Sequence, residues 1–257
     1  MSGPSNTSPA SSAEPGPGPR GRPFGQRAHF QEELTRLEAS VLGGLDMVVG
    51  QLDRVMEALE HRDIELAQFV IHDDDRVDGR YLEVHQGVLS LLARQAPVAG
   101  DLRLVAALLH IIKHVERMGD QCVNIAKLIP LSGHEPPVRP EIIERILRMG
   151  AAARSEVLQA RRAFADRDVD LAEDLARQNR QINVLNREVF RLAIEAGDDH
   201  DTREWAMHMT MVARALERVG DNAVDIGEQC VFVVSGLFRE FQNGGARPTA
   251  VSQTPVE

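Results

Sequence analysis

Two copies of one charged pattern, ERMGDQCVNIA from Glu116 to Ala126 and ERVGDNAVDIG from Glu217 to Gly227, sit in the middle of long apolar-periodic segments. A Glu-Arg-x-Gly-Asp signature written twice in that setting restricts the chain to a duplicated helical architecture. The surrounding periodicity is helical almost throughout. Leu34, Leu37, Val41, Leu45, Val48, Leu52, Val55 and Leu59 recur every three or four residues, and strand-like alternation is absent. The expected fold class is all-α.

Turn signals divide the chain into six long helices. Arg62-Asp63 ends the first near residue 61, and Asp63 is a cap for a second reaching about Arg94. Pro97 opens a third that runs to about Ile129, and SGHEPPVRP separates the halves. The later helices are expected over about 140–165, 168–196 and 201–241. A second anchor supports the duplication. HRDIELA at 61–67 returns as DRDVDLA at 166–172, in the same order relative to the Glu-Arg-x-Gly-Asp motif. Two tandem three-helix bundles are therefore expected over 29–132 and 138–241, because short loops make neighbouring helices antiparallel. Residues 1–28 and 242–257 are Pro-, Gly- and Ser-rich and poor in aliphatic side chains, so both are expected to be disordered tails.

Within the motif, Glu116, Asp120 and Asn124 lie on one stripe of the third helix, and Glu217, Asp221 and Asp225 on one stripe of the sixth. Carboxylates one turn apart repel, so a cation must lie nearby. Lys113 and Arg117 in the first half, and Arg214 and Arg218 in the second, are within reach. A solvated charged face would satisfy that requirement. Gly119 and Gly220 argue for more, since a mid-helix glycine costs ~1 kcal/mol relative to alanine and the same cost recurs in both copies. It signals close approach by another helix or a bound group.

The second helix adds Asp74 and Asp78, four residues apart. Asp78 precedes and Glu116 follows the turn near residue 96 by similar lengths of chain, which brings them to one height in an antiparallel pair. Asp74, Asp78, Glu116 and Asp120 would then face a common patch. Hard oxygen donors with few histidines suit magnesium, manganese or iron better than zinc. In the second half the equivalents of Asp74 and Asp78 are Asn179 and Asn183, so two unequal sites are expected. His110 and His114 do not share the acidic stripe, and a surface or core role is expected for them.

Charge and composition exclude several classes. A formal charge of −10 argues against nucleic-acid binding. There is no apolar run long enough to span a bilayer and no basic start followed by an apolar stretch, which makes the cytoplasm the expected location. Cys122 and Cys230 occupy different places in the two repeats and read as buried free thiols. A di-iron enzyme of the ferritin type would need Glu-x-x-His pairs, and none of the nine histidines has a Glu three residues before it. A helical adaptor whose acids only face solvent is the alternative to metal binding.

The doubled E-R-x-G-D-x-x-x-[ND]-I, the stretch QAPVAGDLR and the repeated RD-[IV]-[ED]-LA turn resemble the PhoU family of phosphate-transport accessory and regulatory proteins. The resemblance covers about residues 29–240. It implies tandem three-helix bundles with metal ions at the motif acids, here Glu116, Asp120, Glu217 and Asp221, and iron clusters in some members. It also implies a non-enzymatic, cytoplasmic negative regulator of the phosphate-starvation response. Such a protein would link the ATPase subunit of a phosphate ABC transporter to a phosphate-sensing histidine kinase, as a homodimer that meets the membrane only through its partners.

Overall fold

The computed structural model describes residues 24–94, 97–132, 139–197 and 199–241, and these are helical with short connections. Six helices follow one another: α1 (Phe24–His61), α2 (Ile64–Arg94), α3 (Ala99–Leu128), α4 (Pro140–Asp166), α5 (Val169–Ile194) and α6 (His200–Ser235), with a single 3-10 turn at Pro130–Ser132. Residues 24–28, expected in the loose tail, instead open α1. The rest of both expected tails lies outside the described residues.

The repeated Arg-Asp turns show how local chemistry sets the topology. Arg62 and Arg167 each adopt φ 56°, in the left-handed region. That reversal lets the amide of Asp63 reach back to Ala58 O, and that of Asp168 to Ala163 O, each at 2.9 Å, so carbonyls orphaned at the helix ends are satisfied. The same aspartates then cap the next helix. Asp63 Oδ1 accepts from Leu66 N at 2.9 Å and Asp168 Oδ1 accepts from Leu171 N at 3.0 Å. Each pair of residues thus ends one helix, reverses the chain and starts another. The sixth helix stops earlier than its periodicity predicts, at Ser235. Gly236, at φ 75°, terminates it by donating its amide to Phe232 O at 2.9 Å, and residues 236–241 are not helical.

Each half is a three-helix unit, α1–α3 and α4–α6, and the two share one continuous core. The seam between them is formed mainly by α3 against α6, with α1 against α4 behind it. Met56 of α1 packs against Gly150 of α4, where a Cβ would lie 2.6 Å from the Met56 Cε. Three ion pairs tie α1 to α4 and its following turn, Arg161–Asp46 (2.7 Å), Arg154–Asp53 (2.6 Å) and Arg167–Glu38 (2.6 Å). Exposed pairs of this kind add only a few tenths of a kcal/mol each, up to about 1. They fix the alignment of the halves more than they stabilise it.

Both cysteines are free and buried, as their sequence context predicts. Burial pushes the Cys122 thiol up to about 12 and that of Cys230 up to about 11, which leaves both inert. Trp205 is a core residue. Arg103 does not pair with Asp101, whose carboxylate accepts from Gln31 at 3.1 Å. It lies instead against Gly236 at the C-terminal end of α6, where a cation faces the negative end of the helix dipole.

Candidate functional site

The two mid-helix glycines explain themselves once the helices are assembled. In the first half Gln51 of α1 is fully buried and its Nε2 donates to Asp74 Oδ1 of α2 at 3.2 Å. Both side chains press onto Gly119 of α3. A Cβ at residue 119 would stand 2.8 Å from Asp74 Oδ1 and 3.3 Å from Gln51 Oε1. Glycine is therefore required for polar groups from two neighbouring helices to meet the motif helix.

Around that contact the acids gather. The Asp74 carboxyl is raised above its ordinary range, first by burial and then by the charges of Asp78, Asp120 and Asp75, against the opposing hydrogen bond from Gln51. Asp120 is raised first by burial and next by Glu116 and Asp78. Asp78 and Asp120 thus act on Asp74, and Glu116 and Asp78 on Asp120, across α2 and α3. Glu116 is held by Lys113, whose Nζ lies 2.7 Å from its Oε2.

The second half repeats the geometry with the chemistry exchanged. Gly220 of α6 faces Asn179 of α5 and Glu156 of α4, and a Cβ there would lie 2.5 Å from Asn179 Oδ1 and 3.0 Å from Glu156 Oε2. Asn179 Nδ2 donates to Asp221 Oδ1 at 2.8 Å. Glu156 is only 1% exposed, and neither of its oxygens has a hydrogen-bond partner among the described residues. Burial, followed by the nearby Asp221, pushes its carboxyl up to about 8. Where the first half has Gln51 beside Asp74, the second has Glu156 beside Asn179. Acid and amide have traded places, so each half keeps one of each beneath its glycine.

Gln51 and Glu156 escaped the sequence reading, although a signal for them was present. They are separated by the same 105 positions as the two Arg-Asp turns. Asp225 acts on Asp221 of its own stripe and also reaches the other half. His114 Nδ1 lies 3.5 Å from Asp225 Oδ2 and 2.8 Å from Asn222 Oδ1, so this histidine joins α3 to α6 across the seam. Burial raises the Asp225 carboxyl, with His114 and Arg117 opposing and Glu240 adding to the rise. Glu217 pairs with Arg214, as Glu116 does with Lys113.

As they stand, these side chains form ion pairs and hydrogen bonds. Among the described residues, no three His, Cys, Asp or Glu side chains converge as a set that could hold one metal ion. The donor chemistry nonetheless fits a hard cation. The groups are carboxylates and amide oxygens, several acids are held above their ordinary range first by burial and then by one another, and among the described residues Gln51 Oε1, Asn179 Oδ1 and both oxygens of Glu156 are buried without partners. A polyvalent ion would relieve both the repulsion and the unmet hydrogen-bonding capacity.

The family model described as the PhoU domain matches the chain twice, over residues 44–129 and 146–230. The chain belongs to the PhoU family. Each match spans the core of one half, so the duplication seen in the motifs and in the helices is a duplication of the PhoU domain itself. The chain is 31% identical over 219 residues to the Thermotoga maritima "Phosphate-specific transport system accessory protein PhoU homolog 1", covering 84% of this chain and 94% of that protein. It is also 31% identical over 215 residues to a PhoU homolog of Zymomonas mobilis, covering 80% of this chain and 87% of that one. Among solved structures, PhoU from Pseudomonas aeruginosa superposes with a TM-score of 0.75 at 27% identity, over 81% of this chain and all (100%) of that one. The Thermotoga and Zymomonas relatives are both named as phosphate-specific transport system accessory proteins. Among the described residues no helix is long and apolar enough to cross a membrane.

Proposed function

We propose that this chain is a cytoplasmic accessory protein of a phosphate transport system and a negative regulator of the phosphate-starvation response. The observation that carries this reading is the double PhoU-domain match, shared over most of both chains with relatives named as phosphate-specific transport system accessory proteins. The chain would join the ATPase subunit of the phosphate ABC transporter to a phosphate-sensing histidine kinase, acting as a homodimer. Deleting the gene should derepress a phosphate-starvation reporter in high phosphate, and complementation should restore repression. An unchanged reporter in the deletion strain counts against the regulatory role.

The acidic stripes are the proposed metal sites, for iron, manganese or magnesium. Asp74, Asp78, Glu116 and Asp120 would hold an ion in the first half; Glu217 and Asp221, joined by Glu156, would do so in the second. Asp225, 3.5 Å from His114 across the seam, is the further candidate on that stripe. Such an ion supplies positive charge where acids repel, and its binding stabilises the folded state by mass action. Lys113 and Arg214 would release their glutamates to it. Four carboxylates against three make the first site the tighter, and Glu156 narrows the margin only as far as an ion displaces the proton that its burial retains. Glu116→Gln with Asp120→Asn should weaken first-site metal binding by roughly tenfold or more, read as metal content after dialysis. Full retention of metal by that variant, or a chelator-insensitive thermal midpoint in the wild type, would return the stripes to a solvated face of a metal-free adaptor.

A further inference from the structure

A groove of about 970 Å³ opens where the C-terminal end of α3 meets α5 and α6. Its lining includes the exposed Phe190 and Met211, together with Lys127, Arg187, Arg214 and Arg218, and among the described residues it holds no Asp or Glu. On a chain of net charge −10, four cations gathered around an apolar floor, with no acid among the described lining residues, are a local inversion of charge. Arg214 is paired with Glu217. Among the described residues, Lys127, Arg187 and Arg218 have no carboxylate at ion-pair distance. One helical turn nearer the α5–α6 connection, the apolar surface continues through exposed Ile194 and Met207. A concave apolar surface with a charged rim has the composition of an interaction surface.

The duplication provides an internal comparison. The equivalents of Lys127, Asn124 and Ala215 in the other half are Glu228, Asp225 and His114, and there the chain closes on itself. His114 bridges to Asn222 and Asp225, while the amide of Phe241, in the segment that follows α6, donates to Glu228 Oε1 at 2.5 Å. One of the two equivalent positions is thus acidic and covered by the chain's own C-terminal segment. The other is basic and open, and small Ala215 stands where His114 seals its counterpart.

We infer that the open groove docks an acidic, amphipathic segment of a partner protein, with a bulky apolar side chain on Phe190 and Met211 and its carboxylates on Lys127, Arg187 and Arg218. Charge complementarity favours this occupant over a second copy of the chain, whose surface is acidic overall but which offers this same basic face to any symmetric contact. Concavity favours a protein segment over a flat bilayer. The inference gives the accessory-protein reading a surface, and rests on it in taking the partner to be a protein.

A photo-crosslinking phenylalanine analogue at position 190 of the full chain, in cells, tests it, with the analogue at exposed Val184, outside the groove, as control. The expected adduct is to one segment of another protein that carries at least two carboxylates beside a large apolar residue. Arg187→Glu with Arg218→Glu should lower the adduct yield at least tenfold, and exchanging the segment's acids for lysine should restore it. An adduct to a second copy of this chain, to lipid or to a neutral or basic segment overturns the inference. So do a yield no higher than at position 184 and a yield indifferent to the charge reversal. The adduct is read independently of the reporter, so derepression in the deletion strain without an adduct faults the groove alone. A charge-dependent adduct without derepression faults the regulatory role alone.

Discussion

Replacing Glu156 with glutamine should stabilise the chelated protein by roughly 2–4 kcal/mol near pH 8.5 and change it little near pH 5. The sign follows from the raised carboxyl. Folding lifts Glu156 from its ordinary value of 4.5 to about 8, so between those limits the folded chain holds a proton that the unfolded chain has released. Stability from this group is fully present below the ordinary value and is lost as the pH climbs through the folded one. Full linkage would give about 5 kcal/mol, and local relaxation and water entry lower it into that range. Glutamine is close in shape to the protonated acid, and its NH2 could donate to the unpartnered Asn179 Oδ1, much as Gln51 Nε2 donates to Asp74. Denaturant unfolding of both proteins across pH 5–9, with chelator present, makes the comparison. Parallel profiles would mean that Glu156 is not the neutral acid its burial demands.

The same small substitution should have opposite signs at different glycines. Gly220→Ala gains helix propensity of ~1 kcal/mol but forces a methyl to within 2.5 Å of Asn179 Oδ1, 2.9 Å of Ile182 Cδ1 and 3.0 Å of Glu156 Oε2. Three buried contacts cannot all give way, and the Asn179–Asp221 hydrogen bond would be disturbed with them. A net loss of roughly 2 kcal/mol is expected, in the range of overpacked cores. Gly43→Ala in α1 and Gly79→Ala in α2 meet nothing within 4 Å, and each should raise stability by about 0.5–1 kcal/mol. Thermal unfolding of the three variants decides the matter. A stabilised Gly220→Ala would remove the reason offered for the repeated motif glycine.

The helices were legible because their signals are local and repeated. Apolar spacing from Leu34 to Leu59, the Arg-Asp turns and the Pro97 restart each depend on a few neighbouring residues, and tertiary packing did not override them. The end of α6 was misplaced because apolar residues continue past Gly236, and only the backbone shows that this glycine is left-handed. The acids of α2 and α3 could be paired by counting from their shared turn. Gln51 and Glu156 could not be found that way, since an isolated Gln or Glu in an amphipathic helix looks like a surface residue. Their burial arises from packing across three helices, and the repeat offset was the one sequence signal that singled them out. Helical spacing placed Asp225 on the stripe, but its approach to His114 in the other half could not be counted from any shared turn.

The exchange of acid and amide beneath the two glycines also constrains the order in which the halves could have diverged. Moving from a Gln–Asp pair to a Glu–Asn pair takes two substitutions, and the intermediates are not equivalent. One passes through Gln with Asn, two neutral amides that can hydrogen-bond each other in a buried place. The other passes through Glu with Asp, two acids side by side without a counter-charge, where one must stay protonated for the core to close. From whichever pairing the ancestral unit began, losing the acid first and regaining it on the neighbouring helix is the route that keeps every step folded.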